Sequence, residues 1–285
     1  MLEIILYGSY LVFPFLGVLF WFWRRKMIAK WLVITFAILS VIFIYARFIE
    51  RYIVLTHEHS DGEVRVALIG DMHIGVYKSP KFLARLVEKI NEANPDVVLI
   101  AGDFVYGMDP EDLKDSFAPL ENLHAPVFGV LGNHDILPSG EFTKKEMYEA
   151  LSPYIYMIDN SYVKVKVGGK DVTIAGVGEI WANDANFESL NNVRDEENLI
   201  VLVHQPDSVY SFPEDFHPDL TLAAHTHGGQ VRLPFIYKYM IPTIHPFDQG
   251  WYEINGDKVF VTNGVGEDML PLRFLIPPTI DIMKF

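Results

Sequence analysis

The chain of 285 residues contains no cysteine. Disulfides and thiolate metal ligands are therefore excluded, and any bound metal must rest on nitrogen and oxygen donors. The absence says nothing of compartment, since an exported protein need not carry a disulfide. Basic residues are scarce: 23 Lys and Arg stand against 37 Asp and Glu, a formal net charge of −14. The scarcity is uneven. Residues 1–51 hold six basic and two acidic residues, which leaves 17 basic and 35 acidic residues beyond them. A domain this acidic lacks the phosphate-contacting charge on which general nucleic-acid binding leans, so no nucleic-acid partner is expected. Internal repeats and low-complexity stretches are missing too, which argues against solenoids and disordered tails.

Long uncharged runs are present, both near the N-terminus. Ile4 to Trp23 gives 20 residues without a charge. Trp31 to Ala46 gives 16 more, extended by Phe48 and Ile49. About 20 apolar residues cross a bilayer as a helix. The first run suffices, and the second does so if Lys30 and Arg47 reach the interfaces. Residues 1–51 are thus expected to be a membrane anchor, with two transmembrane helices at about 4–23 and 27–49. Between them lie Arg24, Arg25, Lys26 and Lys30. Positive loops stay in the cytoplasm, so a hairpin would place the following domain on the outer face of the cytoplasmic membrane. Residues 52–63 read as a polar linker.

The remainder, 64–285, suits one domain. Val64–Ile69, Asp96–Ala101 and Pro126–Leu131 read as buried strands. Helical patterns lie between and after them: Ser79–Ala93, one opened by Asp109-Pro110, and Ser139–Leu151. A β-α-β-α-β series predicts a parallel sheet. Past Pro153 the pattern changes to a hairpin, Tyr162–Val167 and Val172–Val177 around Gly168-Gly169. Further strands are expected at Leu199–Val203, Asp219–Ala224, Gln230–Leu233, Lys258–Thr262 and Thr279–Met283. The expected fold is α/β: two sheets packed face to face with helices outside, a four-layer α-β-β-α sandwich preceded by a transmembrane hairpin.

Five polar blocks each follow a strand. They are Gly70-Asp71-Met72-His73, Gly102-Asp103, Gly132-Asn133-His134-Asp135, His204, and His225-Thr226-His227-Gly228-Gly229. Ligands of α/β sheets gather beyond the carboxyl ends of strands, so one rim would collect all five. Carboxylate, carboxamide and imidazole donors suit Mn, Fe, Co or Zn better than Mg. Two such metals about 3.5–4 Å apart clamp phosphoryl oxygens for in-line attack. A single Asp-x-His at a strand end is more often a surface turn than a ligand pair; the joint occurrence of five blocks reverses that reading.

The pattern resembles the calcineurin-like metallophosphoesterase superfamily, with its Asp-x-His, Gly-Asp, Gly-Asn-His-Asp/Glu, His and Gly-His-x-His motifs, over residues 64 to about 267. Within it the chain is similar to a bacterial membrane-associated branch, through His225–Gln230, Arg232–Pro234 and Asn263–Gly266. The resemblance implies that Asp71, His73 and His227 hold a first metal and Asp103 bridges. It also implies that Asn133, His204 and His225 hold a second. His134 would serve as proton or hydrogen-bond donor to the phosphate, oriented by Asp135. Two divalent ions are implied as cofactors, manganese first, with Fe, Zn or Co also suited. Ala224 departs from the glycine that usually precedes the last His-x-His and could narrow the pocket. The implied activity is metal-dependent hydrolysis of a phosphodiester or pyrophosphate. Its substrate would be a phosphoester, lipid-linked in the case of UDP-diacylglucosamine. That substrate lies on the cytoplasmic face, against the topology inferred from the positive loop. A general phosphodiesterase for soluble or envelope phosphates is the rival enzyme, and a non-catalytic membrane scaffold the rival outside enzymes. The aromatic residues after Gly229 read as core or lid, or as a wall for an acyl chain. Arg232 and His245 are candidates for substrate contact.

Overall fold

The computed structural model describes all residues except 27, 60, 61, 138–141 and 285, and the side chain of Met240. The chain begins with α1 (Leu2–Gly8) and α2 (Val12–Arg24), joined by a short 3-10 turn. It returns as α3 (Lys30–Ile44), which runs on through a π turn and a 3-10 turn to Tyr52. Each arm, Leu2–Arg24 and Lys30–Tyr52, is 23 residues long, about 34 Å at 1.5 Å per residue. Both are long and apolar enough to cross a membrane. Their outward side chains, Phe20, Trp21, Ile38 and Val41 among them, are exposed, as lipid-facing residues would be. The two arms fit a transmembrane hairpin. Position 27 of the expected second span lies outside the described residues.

Two six-stranded sheets follow. The strands are β1 (Leu55–His59), β2 (Arg65–Ile69), β3 (Ile74–Gly75), β4 (Val97–Ala101), β5 (Val105–Tyr106), β6 (Val127–Val130) and β7 (Tyr156–Met157). Then come β8 (Ser161–Val167), β9 (Lys170–Gly176), β10 (Leu199–Leu202), β11 (Leu220–Ala223), β12 (Gly250–Ile254), β13 (Asp257–Val261) and β14 (Thr279–Lys284). One sheet is ordered β1-β14-β2-β4-β6-β7 and the other β12-β13-β11-β10-β9-β8, with β3 and β5 forming a small pair. The β2, β4, β6 and β7 strands are parallel, as are β9, β10, β11 and β13.

Strand alternation explains the layering. Val66 and Leu68 of β2 face the second sheet, where they join Leu99, Val130, Ile200, Leu202 and Leu222. Ala67 and Ile69 point the other way, onto α4 (Pro80–Glu92), α5 (Leu113–Ser116) and, past the one-turn α6 (Asn133–Ile136), α7 (Lys144–Leu151). A strand buried on both faces reads as a continuous apolar run, which is what Val66–Ile69 is. The four-layer arrangement stands. The outermost layer, over β9, β10, β11 and β13, is built from the 3-10 segments Phe187–Val193 and Pro206–Ser211 rather than long helices. Thr143 caps α7 through a reciprocal pair with Glu146; the expected start of that helix, 139–141, lies outside the described residues.

Two expectations change. The segment 52–63 is not simply a linker, because it carries β1, paired in parallel with β14. Its side chains look polar because β1 is an edge strand and mostly exposed. And Gln230–Leu233 is no strand: after Gly228 and Gly229 the chain turns at Gln230 (φ 45°), and Val231 makes a single bridge to Phe274.

The end of the hairpin is fastened into the domain. Arg51, fully buried, donates to Tyr77 O at 2.6 Å and to Pro271 O at 3.1 Å, and pairs with Glu267 at 2.8 Å. Lys78 pairs with the same carboxylate at 2.9 Å and donates to Arg51 O at 2.5 Å. Glu50 accepts from Ile276 N at 2.7 Å. Removing one member of a buried ionic group leaves an uncompensated charge, at about 3–5 kcal/mol. Glu267→Gln is therefore expected to lower the thermal midpoint of the full chain in detergent by several degrees. A midpoint within about 2 °C of the parent's would contradict a dry network.

Candidate metal centre

The carboxyl ends of the parallel strands open on one rim. Asp71 follows β2, Asp103 follows β4, Asn133 follows β6, His204 follows β10 and His225 follows β11. Backbone bonds tie the turns together: Asp71 N donates to Gly102 O and His73 N to Asp103 O, both at 3.0 Å. All seven metal-ligating residues expected from the sequence meet here, and all are buried.

They form two groups that share one carboxylate. Ligand atoms of Asp71, His73, Asp103 and His227 lie within 4.8 Å of one another, as do those of Asp103, His204 and His225. Asp103 Oδ2 lies 3.4 Å from His73 Nε2 and 3.3 Å from His204 Nε2. Asn133 Oδ1 lies 2.9 Å from His204 Nε2 and so joins the second group. His204 Nδ1 lies 2.7 Å from Ala101 O, and His225 Nε2 lies 3.1 Å from Pro242 O. A carbonyl can only accept, so those nitrogens carry protons, and His204 Nε2 and His225 Nδ1 are the ring nitrogens that face inward, 3.1 Å apart. In the first group His73 Nε2 and His227 Nε2 stand 3.2 Å apart.

The electrostatics of this cluster call for cations. Burial pushes the Asp71 carboxyl up to about 6. Burial also works against charge on Asp103, yet His204 and His73 beside it hold its carboxyl well below the usual range. Burial is likewise outweighed at His204, where Asp103 drives the imidazole up to about 10. Burial together with charged His204 pushes His225 down to about 3, and burial with His73 drives His227 well below its ordinary value. Asp71 Oδ2 is buried without a hydrogen-bond partner. Converging imidazole nitrogens beside an unpartnered carboxylate oxygen fit divalent metals with nitrogen and oxygen ligands, which would take the place of the proton that Asp103 draws onto His204. The residues thus fit a two-metal centre.

The backbone is bent to this end. Asp71, His73, Asp103, His225 and His227 all have φ between 48° and 73°. Residues other than glycine seldom adopt the left-handed region, and such outliers gather at functional sites. Gly264 makes room beside them: a Cβ there would fall 2.4 Å from Asp71 Oδ2.

His134 stands at the mouth, partly exposed, its ring 4.9 Å from that of His73. Its backbone N–H donates to Asp103 Oδ1 at 2.9 Å. Asp135 does not orient it. The Asp135 carboxylate instead accepts from Phe104 N and Gly132 N at 2.8 Å and from Val105 N at 3.1 Å. In the short helix Asn133–Ile136, neighbouring residues project in different directions, so Asp135 pins two loops while His134 faces outward. The carboxylate near His134 is Asp268, with Oδ1 3.9 Å from Nε2.

A cavity of about 210 Å³ covers the centre, lined among others by Asp103, His134, Trp181, His225, Asp268 and Met269. Trp181 sets its ring edge-on to His225 at 4.7 Å. Neither Trp181 nor Asp268 was expected from the sequence. Trp181 follows β9 by five residues, so the strand-end rule applied there would have found its loop. Arg232 pairs with Asp248 at 2.6 Å and His245 stacks on Tyr210 at 3.8 Å, so neither lines the cavity. Ala224 leaves the pocket unchanged: its methyl packs between the sheets against Gly70, whose missing Cβ would lie only 2.5 Å away.

Known proteins share this arrangement of motifs. The calcineurin-like phosphoesterase family model matches residues 64–229. The uncharacterized metallophosphoesterase YkuE of Bacillus subtilis is 30% identical over 84% of this chain and 87% of its own. The phosphodiesterase YaeI of Escherichia coli is 26% identical over 77% and 81%. A transmembrane protein with metallophosphoesterase domain from Danio rerio is 28% identical over 74% of this chain and 50% of its own. Several bacterial relatives are also longer, the chain spanning 59 or 60% of them. With its motifs gathered on one rim, the chain belongs to the calcineurin-like phosphoesterase family and is a metal-dependent phosphoester hydrolase.

Proposed function

We propose that this chain is a membrane-anchored phosphodiesterase with a dinuclear metal centre. The observation that carries it is the sharing of Asp103 between two converging ligand groups. Asp71, His73, Asp103 and His227 would hold one ion, and Asp103, Asn133, His204 and His225 the other. When bound, such ions supply Lewis acidity, activating a water and offsetting phosphoryl charge. The chain does the rest. Left-handed backbone at five ligand positions fixes the spacing before substrate arrives. Asp135 holds the turns bearing Asp103 and Asn133 in register. As the water oxygen bonds to phosphorus and the ester bond breaks, the leaving oxygen takes the proton held on His134. Asp268 would orient that imidazole.

The hairpin favours a substrate held in the membrane, of which a lipid-linked pyrophosphate such as UDP-diacylglucosamine is one. The Arg24–Lys30 loop favours the outer face of the cytoplasmic membrane for the domain, and so favours a phosphodiester of the envelope over a cytoplasmic nucleotide-lipid. Manganese is the first metal to try. The full chain in detergent is expected to hold about two divalent ions. It should hydrolyse bis-p-nitrophenyl phosphate, lose that turnover to EDTA, and regain it with Mn. Turnover that survives complete metal removal would overturn the reading.

A further inference from the structure

The hairpin and the mouth of the metal centre are joined by a short path of backbone. Arg273 N donates to Ala46 O at 3.2 Å. Ala46 precedes Arg51 by five residues, about 7 Å along a helix, and it closes the second uncharged run. The backbone at 273 is therefore level with the last apolar turn of the anchor. The next residue, Phe274, bonds Gln230 O at 3.0 Å and receives Arg232 N at 2.9 Å. Residue 275 and the segment that begins at Val231 thus start level with that last apolar turn. That segment then returns to the metals, where Pro242 O accepts from His225.

This rim is apolar and outward-facing. Phe235, Tyr239 and Ile244 are 95%, 88% and 89% exposed, and Leu275 and Met269 are 58% and 66% exposed. An apolar surface of this kind on a soluble rim would be a liability. The charge is equally out of keeping with the domain. Residues 231–247 contain no acidic residue, although the domain around them is strongly acidic; with Arg232 paired to Asp248 just beyond them, Lys238 is the cation they offer. An acid-free, cation-bearing apolar segment is what a surface resting on anionic headgroups requires.

We infer that the 231–245 segment and the 269–275 segment rest on the bilayer beside the anchor, so that the cavity opens at headgroup height and receives the phosphate of an amphiphile from the leaflet. Two independent observations argue for lipid there: continuity with the hairpin through Ala46 and Phe274, and the lack of acidic residues in an exposed apolar stretch of an acidic domain. The inference deepens the phosphodiesterase reading and rests on it for the chemistry of the substrate. The acyl part would lie along Phe235 and Ile244 while the phosphate reaches Asp103 and His134.

The test uses the full chain, metal-loaded, in phosphatidylcholine–phosphatidylglycerol vesicles. Phe235→Trp is compared with the parent in lipids brominated along the acyl chain. The added tryptophan is expected to emit to the blue and to be quenched; emission as in water without quenching would overturn the inference. In parallel, the double variant Phe235→Asp with Ile244→Asp is assayed on two phosphodiesters. Hydrolysis of hexadecyl p-nitrophenyl phosphate held in the vesicles should fall about tenfold or more, while hydrolysis of soluble bis-p-nitrophenyl phosphate stays within about twofold. Equal effects on both substrates, or none on either, would overturn it. A parent inactive on both substrates would overturn the hydrolase reading alone, and the fluorescence would still decide the surface.

Discussion

Replacing Asp103 by asparagine is expected to lower kcat/KM on a soluble phosphodiester by about a thousandfold, the equivalent of about 4 kcal/mol. The expectation comes from one oxygen. Asp103 Oδ2 stands within 3.4 Å of both His73 Nε2 and His204 Nε2, so it belongs to both ligand groups. Asparagine keeps the shape, and its amide oxygen can still accept from His134 N. What it loses is the negative charge between two cation sites. Metal content should fall from about two ions towards one or none, while the circular dichroism stays that of the parent. A variant that retains both metals and a rate within tenfold would show that Asp103 is not shared. The comparison variant is Asp135→Asn, at a carboxylate that accepts from backbone amides among the described residues. It should act through stability, with metal content following the folded fraction.

His134→Gln should separate chemistry from metal binding. His134 lies at the mouth with its ring outside the ligand groups, so both ions are expected to stay. A positioned proton donor contributes about 10²–10⁴ in rate. The loss should reach that range for a substrate with an alkoxide leaving group and be much smaller for p-nitrophenolate, which departs without a proton. An equal loss for both leaving groups would point to phosphate binding rather than proton donation. Asp268→Asn is expected to reproduce part of the same pattern, since the Asp268 carboxylate lies 3.9 Å from the His134 ring.

Most of this candidate site was legible in the sequence because each block of candidate ligands follows a buried strand, where local pattern and tertiary position coincide. Asp71, Asp103 and Asn133 needed only the apolar runs before them. The role of Asp135 was not legible, because adjacency in sequence to His134 says nothing about which way two side chains leave a short helix. Asp268 and Trp181 escaped for a related reason: they approach the centre from loops whose course depends on packing far away. The β1 strand was hidden by its edge position. With one neighbour only, it shows none of the apolar alternation that marked β2 and β4. The Gln230–Leu233 segment misled in the opposite way. It alternates like a strand, but the left-handed turn at Gln230 spends it on a single bridge.

The fastening of Arg51 between Glu267, Tyr77 and Pro271 has a kinetic meaning. A domain on a flexible tether sweeps a volume and samples molecules in solution around its anchor. A domain fixed to its helix by a buried ion pair has no such volume. With the hairpin in a bilayer, as proposed, its cavity would keep one height and one tilt, and travel only as the hairpin drifts sideways. On the membrane-anchored reading proposed above, the search for a substrate held in the leaflet would be two-dimensional. The number of encounters would then be set by how crowded the leaflet is with that substrate, and not by how much of it the surrounding water contains.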